Sequence, residues 1–222
     1  MDVTEAMTSR RSVRAFTDEP VDRAVIERVL ETAQWSASGG NLQPWRAYVL
    51  GEGAMAGLRT KVRDRLAGGS TPSPVEYDIY PPKLWSPYRE RRFGNGEQLY
   101  AALEIPREDK PARLEQFARN WDFFGAPVGL MLYVDRGMGR PQWADLGIWL
   151  QSVMLLLREA GLDSCPQEAW SAQHDLVAEV VEPPEELLLF CGLAIGHADE
   201  SAPVNRWRSD RAPLEESVTW LD

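Results

Sequence analysis

The chain has 222 residues, a formal net charge of -10, 44% apolar residues and 26% charged ones. That composition supports a packed core, and the length suits one large domain or two small ones at about 150 residues each. The acidic balance argues against general nucleic-acid binding, which needs a basic face, and no stretch approaches the roughly 20 apolar residues of a membrane span. The N-terminus, "MDVTEAMTSRR", has no apolar signal-peptide core, so a cytoplasmic protein is expected.

Residues 2 to 9 read as a short helix. "TSRRSVRAF" follows, with Arg10, Arg11 and Arg14 around Ser12. Asp22 can cap the next helix, in which Val25, Ile26, Val29, Leu30 and Ala33 keep helical spacing. The loop "SASGGNLQPW" leads into a strand, "WRAYVLG", and "GAMAGLRTKVRDRLAGG" reads as a surface helix ended by Gly68 and Gly69. Residues 70 to 97 hold no lasting period of 2 or 3.6 and are rich in proline, aromatics and arginine. A patternless run of this length is functional or disordered, and its aromatics argue against disorder. It reads as a lid or insertion at about residues 70–110.

A helix is expected at 111–124, a buried strand at "PVGLMLYVDR", and a helix apolar nearly all round at 142–160, ended by Gly161. A short strand "LDSCP", a helix at 171–181 and a strand "EELLLFCGLAIG" come next. The tail from 197 to 222 lacks a dense apolar pattern until the strand-like "ESVTWL". With no repeat and no linker, one α+β domain over 1–222 fits best. Cys165 and Cys191 lie in apolar strand-like segments and read as buried thiols, and His174 and His197 have no metal-like spacing.

Four segments place donors or small residues at the ends of elements. Guanidinium forks beside Ser12 suit phosphate or carboxylate oxygens, although alone they read as a solvated patch. Ser38, Gly39 and Asn41 make a loop whose backbone can approach a ligand closely, or an ordinary turn. "CPQEAW" leaves a strand with backbone N–H groups free to point at a flat ring, or is again a turn. "NRWRSDRAPLEE" carries Arg208 and Arg211 three residues apart, a weak cluster by itself.

Together, "RRSVRAF", "SASGGNLQPW", "GLDSCPQEA" and "GLAIG" followed by "RSDRAPLEE" resemble the nitroreductase family of flavin enzymes over essentially the whole chain. Two positions depart from its pattern. Ala37 stands where proline is common, and Ala169 where glycine is usual. No Rossmann or P-loop fingerprint is present. The resemblance implies a central, mainly antiparallel sheet flanked by helices and an intertwined homodimer that exchanges a C-terminal strand and shares two FMN molecules.

It implies further that Arg10, Arg11 and Ser12 hold the ribityl-phosphate arm of FMN, with Arg11 also suited to a surface pair. Arg14 reaches the N1/O2 edge, and Arg208 and Arg211 complete the phosphate clamp. Ser38, Gly39 and Asn41 come from the other subunit, and the backbone from Pro166 through Gln167, Glu168 and Ala169 faces N5 and O4. Hydride passes from NAD(P)H through flavin N5 to a nitroaromatic acceptor in a ping-pong scheme, with no side-chain nucleophile; the alternatives are another acceptor on the same fold (a quinone, an activated alkene or a halogenated aromatic) or flavin binding without turnover. Trp85, Tyr88, Phe93, Trp121 and Phe124 are expected to stack on the acceptor, and Arg89 and Arg92 to meet an anionic or nitro group.

Overall fold

The computed structural model describes residues 1–69 and 73–221. The first residues of the expected insertion, 70–72, lie outside them. Four strands, β1 (Arg46–Leu50), β2 (Val128–Asp135), β3 (Asp163–Gln167) and β4 (Leu187–Gly196), form one antiparallel sheet in the order β1-β2-β4-β3. Both faces are covered, which is why β2 and β4 read as unbroken apolar runs rather than alternating ones.

Along β2, Leu130, Leu132 and Val134 face a cluster with Ile26, Val29, Trp149, Val153 and Leu157. Met131 and Tyr133 face the opposite cluster, with Met55, Leu58, Phe123, Trp170 and Val177. A bulge between Leu132 and Tyr133 shifts the register against β4. Helices α1 (Val3–Ser9) and α2 (Arg23–Ala33) are capped by the carboxylates of Asp2 and Asp22, which accept from the Glu5 and Ala24 amides. The first cluster is closed by α2 and by α6 (Arg140–Glu159). The second is closed by α3 (Glu52–Ala67) and α7 (His174–Val181).

Four expectations need correction. The patternless insertion carries a helix, α4 (Tyr88–Ala102), which buries none of its residues and so left no apolar stripe to read. The helix expected over 111–124 stops early: α5 covers Lys110–Ala118, and a 3-10 stretch from Arg119 to Gly125 follows. Phe123 (φ 51°) and Phe124 (φ 55°) are left-handed there, and an α-helix cannot pass through such residues. In the tail, a short helix α8 (Pro203–Arg206) and a 3-10 turn at Leu214–Glu216 appear, but "ESVTWL" forms no strand within this chain. Val218, Trp220 and Leu221 are exposed instead. The helix expected at 171–181 begins as a 3-10 stretch, Glu168–Gln173, before α7. No helix among the described residues is long and apolar enough to cross a membrane.

The start of the insertion is tied to the body. Arg65 on α3 grips the Asp175 carboxylate with two hydrogen bonds of 2.8 and 2.6 Å, and the Ser73 hydroxyl donates to the same carboxylate at 2.7 Å. Tyr77 donates to the Phe190 carbonyl, and Glu76 pairs with Arg136 at 2.5 Å. The hydrogen bonds from Arg65 hold the Asp175 carboxyl well below its usual range. A depressed carboxylate stabilises the fold above its unfolded pKa of about 3.9, and that contribution fades as pH falls. Asp175→Asn is therefore expected to lower stability by about 1 kcal/mol at pH 7. Thermal melts at stepped pH should show the gap to the parent chain narrowing below about pH 4. A gap unchanged at pH 3 would contradict the assignment.

Candidate cofactor cleft

Residues 12 and 13 pair with the free edge of β3, and residues 15–17 continue along residues 197–199 just past β4. Ser12 bridges Ser164 in parallel, and the Val13 amide donates to the Ser164 carbonyl at 3.1 Å. The segment alternates: Val13 and Ala15 are buried, while Ser12 and Arg14 are only partly covered and face away from the core. The alternation of "RSVRA" thus splits its residues into an anchoring set and a presenting set.

The chain's other end is fastened to the same edge by Asn205, which is 1% exposed. Its side-chain oxygen accepts from the Arg14 amide at 2.8 Å, and its nitrogen donates to the carbonyls of Ala15 (2.7 Å) and Asp199 (2.9 Å). Sequence reasoning missed this residue. Its only outward signal was an asparagine just before "RWR", which spacing alone does not distinguish from a turn.

The result is a cleft of about 520 Å³ lined by Thr8, Arg10, Arg11, Ser12 and Arg14 on one side and Trp207, Arg208, Ser209 and Arg211 on the other, with Asn95 and Met7 completing the wall. Two segments nearly 200 positions apart in sequence share it. Of the five arginines, Arg11 is neutralised by Glu200 at 2.6 Å. Arg208 donates to the Thr8 carbonyl, and Arg211 to the Ser209 and Asp210 carbonyls at 2.9 Å. These are backbone partners, so Arg10, Arg14, Arg208 and Arg211 have no ion-pair partner among the described residues. Burial, and then the charges of Arg211 and Arg208, pull the Arg10 guanidinium below its ordinary range. Like charges gathered around one cleft repel one another and favour an anion between them, with solvent softening the effect at the exposed Arg208 and Arg211.

Beneath the cleft lies β3. Burial pushes the Cys165 thiol up while the nearby charges of Arg14 and Arg10 oppose that shift. Where β3 ends at Gln167 and passes directly into the 3-10 stretch, rather than a loop, the backbone of 166–169 is braced by side chains. Gln167 is 2% exposed; its amide nitrogen donates to the Asn120 carbonyl at 2.6 Å, and its oxygen accepts from the Trp170 indole at 3.4 Å. The Trp121 indole donates to the Ala169 carbonyl at 3.2 Å. Glu168 stands exposed at the rim, its carboxyl raised by desolvating surroundings. Pro166 is partly covered on the strand. The first and fourth sequence segments therefore share the cleft and the first also pairs with β3, whereas Pro166, Gln167, Glu168 and Ala169 of the third do not line it.

Other expected residues stand elsewhere. Ser38, Gly39 and Asn41 do not line the arginine cleft within this one chain. Their loop is fixed from inside by the buried Asp145 carboxylate, which accepts from the Gly39 amide at 3.3 Å, and by the Ser38 hydroxyl, which accepts from Gln43. Phe124 does not present a stacking face: it is 1% exposed and packs in the second core cluster. Trp121 spends its indole N–H on the Ala169 carbonyl. Trp85 and Tyr88 are exposed and meet edge to face, with ring centroids 5.6 Å apart. Phe93 is also exposed. The insertion's arginines are engaged: Arg89 with Glu90, Arg91 with Glu216, and Arg92 over the Tyr80 ring at 4.2 Å.

Comparison with known proteins places the whole chain among similar ones. A family model described as "Nitroreductase family" matches residues 7–197. The chain is 34% identical over 222 residues to a nitrobenzene nitroreductase of Ectopseudomonas oleovorans, covering 99% of this chain and 96% of that one. A crystal structure of the FMN and NADPH-dependent nitroreductase NfnB from Sphingopyxis sp. strain HMH superposes with a TM-score of 0.95 at 52% identity, over 100% of both chains. The FMN-dependent nitroreductase NfnB from Mycobacterium smegmatis, solved with NADPH, follows with a TM-score of 0.93 at 30% identity, over 99% of this chain and 97% of that one. The chain belongs to the nitroreductase family.

Proposed function

We propose that this protein is an FMN-dependent oxidoreductase that uses NAD(P)H to reduce nitroaromatic compounds, working as a cytoplasmic homodimer. The observation that carries the reading is the cleft in which four guanidinium groups without carboxylate partners converge with Ser12. The donor set suits a phosphate monoester, which is close to a dianion and offers several acceptor oxygens. Arg10, Ser12, Arg208 and Arg211 would hold that phosphate. Arg11, already paired with Glu200, would shape the wall rather than bind.

With FMN bound, the chemistry supplied at this site is two-electron transfer from a reduced nicotinamide to a nitro group, in the ping-pong order that the family resemblance implies. The chain's own contribution is orientation and electrostatics. Arg14, pinned at its backbone by Asn205, offers a fixed cation for negative charge that develops on a bound ring. The backbone that follows Pro166 through Ala169, braced by the Gln167 side chain and the Trp121 indole, offers N–H donors that need little reorganisation. The acceptor would meet Trp85, Tyr88 and Phe93. Because Arg89 and Arg92 are engaged, selection there rests on aromatic contact more than on charge.

A second copy would supply Ser38, Gly39 and Asn41. Three features favour such a dimer. Ile148 on α6 is exposed, β1 is an edge strand with Val49 exposed, and a groove of about 690 Å³ beside it is lined by Val21, Ile26, Leu30 and Met55. The apolar end of the partner's tail would find both an unpaired strand edge and an apolar groove there. The test is a screen of acceptors with NADPH and with NADH after recording the flavin spectrum. Purified protein is expected to be yellow and to oxidise NADPH faster with nitrobenzene than with a quinone, with 4-nitrobenzoate gaining no advantage over nitrobenzene. Failure to take up FMN, or quinone turnover with no nitroarene turnover, would reject the reading.

A further inference from the structure

Helix α4 has no buried residue. Burial in the core therefore does not hold it in place. Polar ties hold it instead: Glu97 pairs with Arg113 at 2.7 Å, and a polar stripe meets the tail. Arg91, Asn95 and Gln98 are spaced four and three residues apart, which puts them on one face of the helix. That face meets the C-terminal tail: Arg91 pairs with Glu216, and the Gln98 amide donates to the Asp210 carboxylate at 3.0 Å. Asn95, between them, lines the arginine cleft, and its side chain has no hydrogen-bond partner among the described residues.

We propose that Asn95 is a phosphate ligand of the cofactor cleft and that α4 keeps this cleft cationic. The proposal rests on the reading of the cleft as an FMN phosphate site. Asn95 offers an N–H donor without adding a further positive charge to a crowded set, so it extends the site where another arginine would worsen the repulsion. The two ties beside it act on the competing anions. Asp210 precedes Arg211 directly, and Glu216 follows five residues later. A free carboxylate at either position would collapse onto the cleft guanidiniums and occupy the place of the phosphate. Gln98 and Arg91 hold both carboxylates against α4 instead. The insertion thus acts on cofactor retention through one neutral donor and two restraints, apart from any contact with the acceptor.

The experiment compares FMN with riboflavin, which lacks the phosphate, by flavin fluorescence titration of the flavin-depleted protein. Asn95→Ala is expected to weaken FMN binding about 10-fold and riboflavin binding less than twofold. Asn95→Asp, which sets a carboxylate at the cleft, is expected to weaken FMN binding at least 100-fold, again sparing riboflavin. Hydrogen exchange over 88–102 should slow with FMN and not with riboflavin. Asn95 is exposed, so both variants should melt like the parent chain. FMN affinity unchanged in Asn95→Asp, or equal loss of both flavins in Asn95→Ala, would overturn the proposal. Arg10→Ala separates the two layers. If it weakens FMN selectively while Asn95→Asp does not, only the role of α4 fails. If Arg10→Ala shows no selectivity, the phosphate cleft itself is wrong.

Discussion

Replacing Arg10 and Arg211 together by alanine is expected to raise the dissociation constant for FMN about 1,000-fold while leaving the flavin-free protein at least as stable as before. Each charge-assisted hydrogen bond to a phosphate is worth about 1.5–3 kcal/mol, and two of them amount to roughly three decades of affinity. The stability half of the expectation has a separate cause. Without an anion, Arg10 is pulled below its ordinary range by burial and by Arg211 and Arg208, so the bare cleft opposes folding. Removing two of its cations relieves that strain and removes no ion pair, since neither arginine has one among the described residues. The check is FMN titration beside thermal melting of the flavin-free chain. A melting point lowered by several degrees would mean that these arginines serve the fold, and intact FMN affinity would mean that the phosphate sits elsewhere.

Gly192→Ala is expected to destabilise the protein by about 3 kcal/mol. A Cβ there would lie 2.3 Å from Cδ1 of Trp170, a ring that is 0% exposed. The ring has no room to retreat, because Phe123 stacks against it with centroids 4.7 Å apart, and Phe123 itself occupies the space above Gly129, where a Cβ would fall 2.7 Å from Cε1. Two glycines in adjacent strands thus make notches for two aromatic rings. For a chain of this size the loss corresponds to a fall of roughly 6–12 °C in melting temperature. Catalysis should suffer beyond the stability change, because Trp170 supports Gln167 and through it the backbone of 166–169. Pairing the change with Trp170→Phe should recover part of the stability. A shift under about 1 kcal/mol in denaturant unfolding would show that the sheet yields at this point.

The elements that were legible in the sequence share one property, an apolar pattern set by burial. α2, α3, β2, β4 and α6 all lie against the two core clusters and all appeared near their expected positions. α4 was invisible because nothing in it is buried. The turn at Phe123–Gly125 was hidden for a different reason: two aromatic residues accept left-handed backbone because their rings lock under Gly129 and within the second cluster, a tertiary effect with no local mark. The same turn buries Phe124, which therefore presents no face for stacking. It also left Trp121 as a brace for Ala169.

The chemical types at the cofactor cleft were written in the sequence. Guanidinium, hydroxyl and small residues at the ends of elements carry their donor chemistry wherever the chain goes, and four such segments together were enough to indicate the family. Which of them share a cavity was a matter for the tertiary structure. Arg10 and Arg211 come together because Ser12 and Val13 pair with β3 and Asn205 ties the tail to Arg14 and Ala15. Arg11 is the one cleft arginine with a carboxylate partner among the described residues because Glu200, 189 residues away in sequence, came within 2.6 Å. Local periodicity reports what a residue's own neighbours bury. The meeting of two distant segments depends on sheet order and edge pairing, and no window along the chain contains either.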